Sequence, residues 1–321
     1  MSTGAQAVVD AAGAATGRIM DRVERRMTEL VTGHGPVLAR HAGDTISAGG
    51  KRLRPLLVCL AAGAPPPETD GLVRAAVAVE LVHGATLVHD DVLDGSALRR
   101  GRPTVVATGG RPAATATGDL LFSRAFAELA GGGSPEPVRV LARASRELAL
   151  GELTQREDAF KLDVSEARYL ARCRLKTAVL FRAACELGAI EADGEPEALG
   201  AFGERIGLAF QILDDVLDVT GPPERTGKPR GADLLDGTVT LPLILARGED
   251  PSLAMLDLPA VRTAQDAAAV CDRIAATGVL DVARVRAREM VADAKLALPA
   301  LPGRQRAALE LAADVVVERF A

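Results

Sequence analysis

Tryptophan is absent from the 321-residue sequence, tyrosine occurs once, and seven phenylalanines complete the aromatic set. So few rings disfavour an all-β sandwich, whose strands lean on aromatic and β-branched side chains, and any surface that stacks nucleic-acid bases. A cationic excess is missing too. The formal net charge of −5 offers no general attraction to nucleic acid or anionic membrane. No stretch of about 18 residues is free of charge; the most apolar, 73–93, carries Arg74, Glu80, His83, His89, Asp90 and Asp91, so no transmembrane segment is expected. The four cysteines, Cys59, Cys173, Cys185 and Cys271, form no C-x-x-C pair and read as small buried hydrophobes in a reducing cytoplasm. The N-terminus lacks a basic-then-apolar pattern, with Asp10 interrupting its mildly apolar stretch, so no signal peptide is expected and the protein reads as cytoplasmic.

What is present is helix. Apolar residues make up 48% and charged residues 25%, with a mean hydropathy of +0.15, a composition able to bury a sizeable core. Spacing near 3.6 residues and dense Ala, Leu, Arg and Glu predict helices over 16–43, 53–63, 70–94, 113–130, 136–158, 165–188, 195–220, 238–248, 261–276, 279–297 and 303–320. Strand signals are nearly absent. No flexible linker separates two independently patterned halves, so 1–321 reads as one all-α domain. Residues 95–112 and 221–237 interrupt the pattern as Gly- and Pro-rich loops, each placing cations after a helix that ends in aspartates.

The first of those ends is Asp90-Asp91-Val92-Leu93-Asp94. Asp90 and Asp94 are one helical turn apart, with Asp91 alongside, and the flanking helix supplies no compensating cations. A hard divalent cation resolves such repulsion. Mg²⁺ is typically held by one or two carboxylates together with substrate phosphates. The D-D-x-x-D pattern recurs at Asp214, Asp215 and Asp218, late in a second apolar helix. Two acidic clusters on two helices are expected to face each other across a bundle cavity, bridged through a diphosphate. Cations suited to phosphate oxygens occur in Gly49-Gly50-Lys51-Arg52-Leu53-Arg54-Pro55, in Arg99-Arg100-Gly101-Arg102, at Lys176 and at Lys228.

In combination these strings resemble the trans-prenyltransferases, the polyprenyl diphosphate synthase family. The resemblance runs from about Gly49 to Pro242 and includes Glu80-Leu81-Val82-His83, Gly118-Asp119, Lys176-Thr177, Phe210–Asp218, Gly227-Lys228 and Gly231-Ala232-Asp233-Leu234. It implies an all-α isoprenoid synthase bundle around a deep central cavity, a homodimer, and Mg²⁺ as cofactor. It also implies the reaction. An allylic prenyl diphosphate loses its diphosphate, the double bond of isopentenyl diphosphate attacks the resulting cation, and a proton departs to the released diphosphate.

By the same resemblance, Asp90, Asp94 and Asp214 are metal ligands, while Asp91, Asp215 and Asp218 act through waters or in support. Arg99, Lys176 and Lys228 would hold the allylic diphosphate; Lys51, Arg54, His83 and Arg100 would hold isopentenyl diphosphate, with Arg52 as a further candidate. Gln211 and the Thr177 carbonyl would lie near the cationic carbons, and Phe210 offers either a ring face or core packing. His89 receives no role. One departure stands out: Thr238 occupies a position where the family often has lysine, which removes a diphosphate cation.

Product length follows from the residues preceding Asp90. Five helical positions rise about 7.5 Å, comparable to one or two isoprene units. In the family a bulky aromatic there stops elongation; this chain has Ala85 with Thr86 beside it, which implies a product of twenty carbons or longer. Phe122 and Phe126 are candidates for a deeper floor or for core packing. A terpene cyclase is the nearest alternative, disfavoured by the second aspartate motif and by Gly49–Pro55. A non-catalytic subunit of a heteromeric synthase is another, disfavoured because both acidic motifs are intact.

Overall fold

The computed structural model describes residues 3–32, 41, 43, 52–99, 101–222 and 229–318. In chain order the helices are α1 Thr3–Ala12, α2 Ala14–Thr32, α3 Leu53–Ala62 and α4 Asp70–Leu93, then a two-residue hairpin, β1 Leu98–Arg99 against β2 Arg102–Pro103. After it come α5 Val105–Ala130, α6 Pro135–Asp158, α7 Glu166–Cys173, a π-helical turn Arg174–Ala178, α8 Val179–Ile190 and α9 Pro196–Thr220. The C-terminal third adds α10 Ala232–Leu235, α11 Leu241–Glu249, α12 Pro251–Ala254, α13 Ala264–Ala276, α14 Val279–Leu296 and α15 Gly303–Glu318. The all-α expectation holds. Packing divides the chain into two compact units. One comprises Met1–Ser145, Leu180–Gly203 and Lys295–Val315; the other comprises Arg146–Val179, Glu204–Ala294 and Val316–Ala321.

The first unit is built on α4. Thr69 caps its start by accepting the Leu72 N–H at 3.2 Å. Beyond the cap most of the helix is buried, its apolar residues spread over every face as in a core helix, and α2, α3 and α5 pack against it. It is long and apolar enough to cross a membrane, but 72% of its most apolar window is buried. The buried Arg52 guanidinium ties this packing together, meeting Glu80 of α4 at 2.8 Å and Glu24 of α2 at 2.6 Å.

The second unit gathers around the buried Arg172, which donates to the Val239 carbonyl at 2.6 Å and approaches Asp158 at 3.4 Å. Arg168 clasps the same Asp158 carboxylate with both oxygens at 3.1 Å. Thr263 and Asp266 form a reciprocal capping box that starts α13. All four cysteines are buried free thiols; burial pushes Cys59 and Cys271 up to about 12 and raises Cys173 and Cys185 further, so they remain protonated packing groups.

Four sequence expectations change, the first being that the stretch 221–237, read as loop, carries the short helix α10. Residues 3–12, given no element, form α1. The stretch 95–112 is only partly loop, because Thr104 caps a helix beginning at Val105; Gly110 and Pro112 kink this helix instead of ending it. The stretch 165–188 contains a π turn in place of unbroken α-helix, with the Val179 N–H reaching the Arg174 carbonyl five residues back.

Candidate active site

In the first unit the site residues sit where α4 ends. Asp90 and Asp94 are half-buried on one face, and the Asp94 N–H closes the last turn on the Asp90 carbonyl at 2.8 Å. The buried Asp91 also fixes the exit, its carbonyl accepting the Ser96 N–H at 3.0 Å. The hairpin then folds back, so that Arg99 Nε and Nη2 each lie 2.8 Å from Asp91 Oδ1. Thr104 locks the return by donating its hydroxyl to the Ser96 carbonyl at 2.6 Å. Arg99 and Asp91, assigned separate roles from sequence, are thus paired with each other.

Further back on α4, His83 is half-buried and its carbonyl accepts the Thr86 hydroxyl at 2.8 Å. Ala85 is fully buried. Arg54 lies over the Phe181 ring, 4.6 Å from its centroid, a cation–π geometry. His89 gains surroundings the sequence did not suggest. Its ring stacks on Phe122 with centroids 5.8 Å apart, and Nε2 is 3.3 Å from both the Thr115 carbonyl and Asp119 Oδ1. That fit requires Gly118, where a Cβ would come 2.2 Å from His89 Nε2.

In the second unit, the π turn carries Lys176 and Thr177. Gly151 of α6 lies directly against it; a Cβ there would stand 2.7 Å from the Lys176 nitrogen. The Lys176 ammonium bonds Glu152 at 2.5 Å, and Arg156 takes the other Glu152 oxygen at 2.8 Å. Burial pushes the Glu152 carboxyl up, but Lys176 and Arg156 together overcome it and hold Glu152 below the ordinary glutamate range.

The Thr177 hydroxyl donates to Gln211 Oε1 at 2.6 Å, Gln211 Nε2 donates to Asp215 Oδ1 at 2.7 Å, and the Tyr169 hydroxyl donates to Asp215 Oδ2 at 2.6 Å. Asp215 is buried, and desolvation, followed by the charge of Asp233, raises its carboxyl well above the usual range. Tyr169 is fully buried and its hydroxyl is likewise raised, by desolvation and then by Asp215. Asp214 is exposed on the same helix, and Phe210 is half-buried. Asp218 accepts the Ala232 and Asp233 N–H groups at 3.1 and 3.3 Å, fastening α10 to α9. Thr238 is buried, its N–H on the Asp233 carbonyl at 2.7 Å. Lys51, Arg100 and Lys228 lie outside the described residues.

Comparison with known proteins places the chain among relatives. The polyprenyl synthetase family matches residues 36–275. The chain belongs to that family. Among its relatives, heptaprenyl diphosphate synthase component 2 of Geobacillus stearothermophilus is 43% identical over 71% of this chain and 72% of the relative. Octaprenyl diphosphate synthase of Escherichia coli is 37% identical over 85% and 87%. A crystal structure of polyprenyl synthase from Caulobacter crescentus, complexed with calcium and isoprenyl diphosphate, superposes with a TM-score of 0.91 at 38% identity, covering 97% of this chain and 98% of that one.

Family motifs point to the aspartates and to Arg99 and Gln211, but not to the remaining partners. Glu152, Tyr169 and Glu24 receive no role from sequence, and Glu80 none beyond its place in the Glu80–His83 string, although Tyr169 carries one signal as the single tyrosine in the chain. Among the described residues, no three Asp, Glu, His or Cys side chains are arranged to hold a metal by themselves. One or two carboxylates per cluster is nonetheless the donor set that Mg²⁺ accepts, since that ion keeps waters and completes its shell with substrate phosphates. The half-buried Asp90 and Asp94 and the exposed Asp214 fit such a role.

Proposed function

We propose that the chain condenses isopentenyl diphosphate head-to-tail with an allylic prenyl diphosphate, giving an all-trans polyprenyl diphosphate of twenty carbons or more. The observation that carries this reading is the pair of D-D-x-x-D strings, each at the end of a long helix, within a chain of the polyprenyl synthetase family. Relatives named as octaprenyl and heptaprenyl synthases support the long product.

Asp90, Asp94 and Asp214 would hold Mg²⁺, with Asp91, Asp215 and Asp218 in support; bound there, the ion stabilises negative charge on the departing diphosphate. Lys176 and Arg99 orient the allylic diphosphate, together with Lys228. Arg54 and His83, with Lys51 and Arg100, orient isopentenyl diphosphate. Gln211 and Thr177 present fixed dipoles toward the allylic cation, where a dipole in a dry site is worth most. Ala85 and Thr86 leave room for the growing chain. The protein acts as one polyprenyl synthase domain, a homodimer in the cytoplasm.

A second reading has one specific observation behind it. The Geobacillus relative is named as component 2 of a heptaprenyl synthase, which favours a catalytic chain that works with a second subunit.

Purified protein incubated with Mg²⁺, isopentenyl diphosphate and each allylic primer, with products read by mass, tests both. Linear products of twenty carbons or more are expected, abolished by chelator and restored by Mg²⁺. Cyclic hydrocarbon from primer alone would make the chain a cyclase; activity only after addition of a partner chain would establish the two-subunit reading.

A further inference from the structure

We infer that Tyr169 is a positioning residue for Gln211, acting through Asp215, and that Asp215 serves as the hydrogen-bond anchor between them. This rests on the proposed role of Gln211 beside the reacting carbons. The route is continuous in the structure: Tyr169 to Asp215 at 2.6 Å, Gln211 to Asp215 at 2.7 Å, Thr177 to Gln211 at 2.6 Å.

Each step constrains the next. Asp215 Oδ1 accepts the Gln211 NH2 and the Thr177 hydroxyl donates to the Gln211 carbonyl oxygen, so the amide is held in one orientation from both ends. Gln211 and Asp215 are four residues apart on α9 and share a face, so the amide meets the carboxyl one helical turn along. Asp215 still needs its own side-chain rotation fixed. Tyr169 supplies this with a rigid, fully buried phenol on α7, its hydroxyl on the oxygen that Gln211 does not use. Both Asp215 oxygens are thereby engaged by protein donors, whereas the neighbouring Asp214 is exposed. Asp215 holds the amide.

Tyr169→Phe removes one oxygen and leaves the ring in place. Its expected effect is a fall in kcat of roughly tenfold, the scale of a small misplacement near the chemistry, with KM for isopentenyl diphosphate unchanged. In a Gln211→Met background the same substitution is expected to change kcat by less than about twofold, because its target is gone. A tenfold loss in both backgrounds, or no loss in either, overturns the inference.

A second measurement does not depend on turnover. In protein carrying ¹⁵N-glutamine, the Gln211 side-chain amide is identified by its disappearance in Gln211→Met. Its hydrogen exchange is expected to quicken at least about tenfold in Tyr169→Phe. Unchanged exchange overturns the positioning role. A wild-type protein that makes no prenyl product while the amide responds as expected would instead remove the proposed function and leave the Tyr169–Asp215–Gln211 linkage standing.

Discussion

Lys176 donates to Glu152 across 2.5 Å, so a cation expected to grip diphosphate is already held by a carboxylate of the neighbouring helix. The pair is partly exposed, Lys176 at 27% and Glu152 at 19%, and its contribution to stability is about 1 kcal/mol at neutral pH. The Glu152 carboxyl lies below its ordinary value of 4.5 in the folded chain, so this contribution is complete above that pH. It is lost as pH falls through the depressed folded-state value. Glu152→Gln is therefore expected to lower the urea midpoint at pH 7, with the gap to wild type closing on acidification below 4.5. A gap that stays constant with pH would remove the ion pair as its source.

Gly151 sets where Lys176 stands. A Cβ at 151 would lie 2.7 Å from the Lys176 nitrogen and 3.0 Å from the Leu175 carbonyl carbon, both backbone atoms that cannot rotate aside. Gly151→Ala is expected to shift the π turn and cut condensation by about a hundredfold while circular dichroism still reports a folded helical protein. Wild-type turnover in this variant would show that the turn yields without consequence for the site.

Asp91 and Arg99 offer a test of the first cluster. The Asp91 side chain is 7% exposed and Arg99 25%, so removing the guanidinium strips a buried carboxylate of a strong partner. Arg99→Ala is expected to cost about 2 kcal/mol in urea unfolding, less than a fully buried pair because Arg99 retains some solvent contact. Combining it with Asp91→Asn should cost less than the sum of the two single changes. Strict additivity would mean that the two side chains do not support each other.

Both pairs show where sequence reading stops. Periodicity and motif spacing located the helix ends bearing Asp90–Asp94 and Asp214–Asp218, because each signal lies within one or two turns of chain. They could not show that Arg99 turns back on Asp91, since that depends on the hairpin closing over Gly101, which adopts a φ of 74°. Nor could they reach Tyr169, which meets Asp215 from a different helix. The helix from Val105 was hidden by Gly110 and Pro112, which locally read as loop, while the Thr104 cap and the apolar face of α5 determine the outcome. The π turn was hidden for the opposite reason. One extra residue in a helical turn leaves the apolar spacing on either side nearly unchanged.

Gly118 and His89 provide a reciprocal test. Gly118→Ala would drive a methyl group against the imidazole at 2.2 Å and break the stack on Phe122. Thermal unfolding is expected to reveal a loss of about 2 kcal/mol, the scale of a forced side-chain displacement. His89→Ala opens the space, so the double variant should be more stable than Gly118→Ala alone. If it is equally unstable, the glycine is required for some reason other than the ring.

Ala85 tests the length of the product. It is fully buried on α4 between His83 and the aspartates, and the five positions to Asp90 rise about 7.5 Å. A ring at 85 either fills the space into which the chain grows or crowds the core, and the two outcomes separate experimentally. Ala85→Phe is expected to shorten the product by at least one isoprene unit, with an overpacking cost of about 1–3 kcal/mol. Thr86→Phe starts from a half-buried position whose hydroxyl donates to the His83 carbonyl, so it should shorten the product at lower cost to stability. Mass analysis of products alongside thermal unfolding decides the matter. If both variants stay folded and still make the wild-type length, growth does not pass this face of the helix.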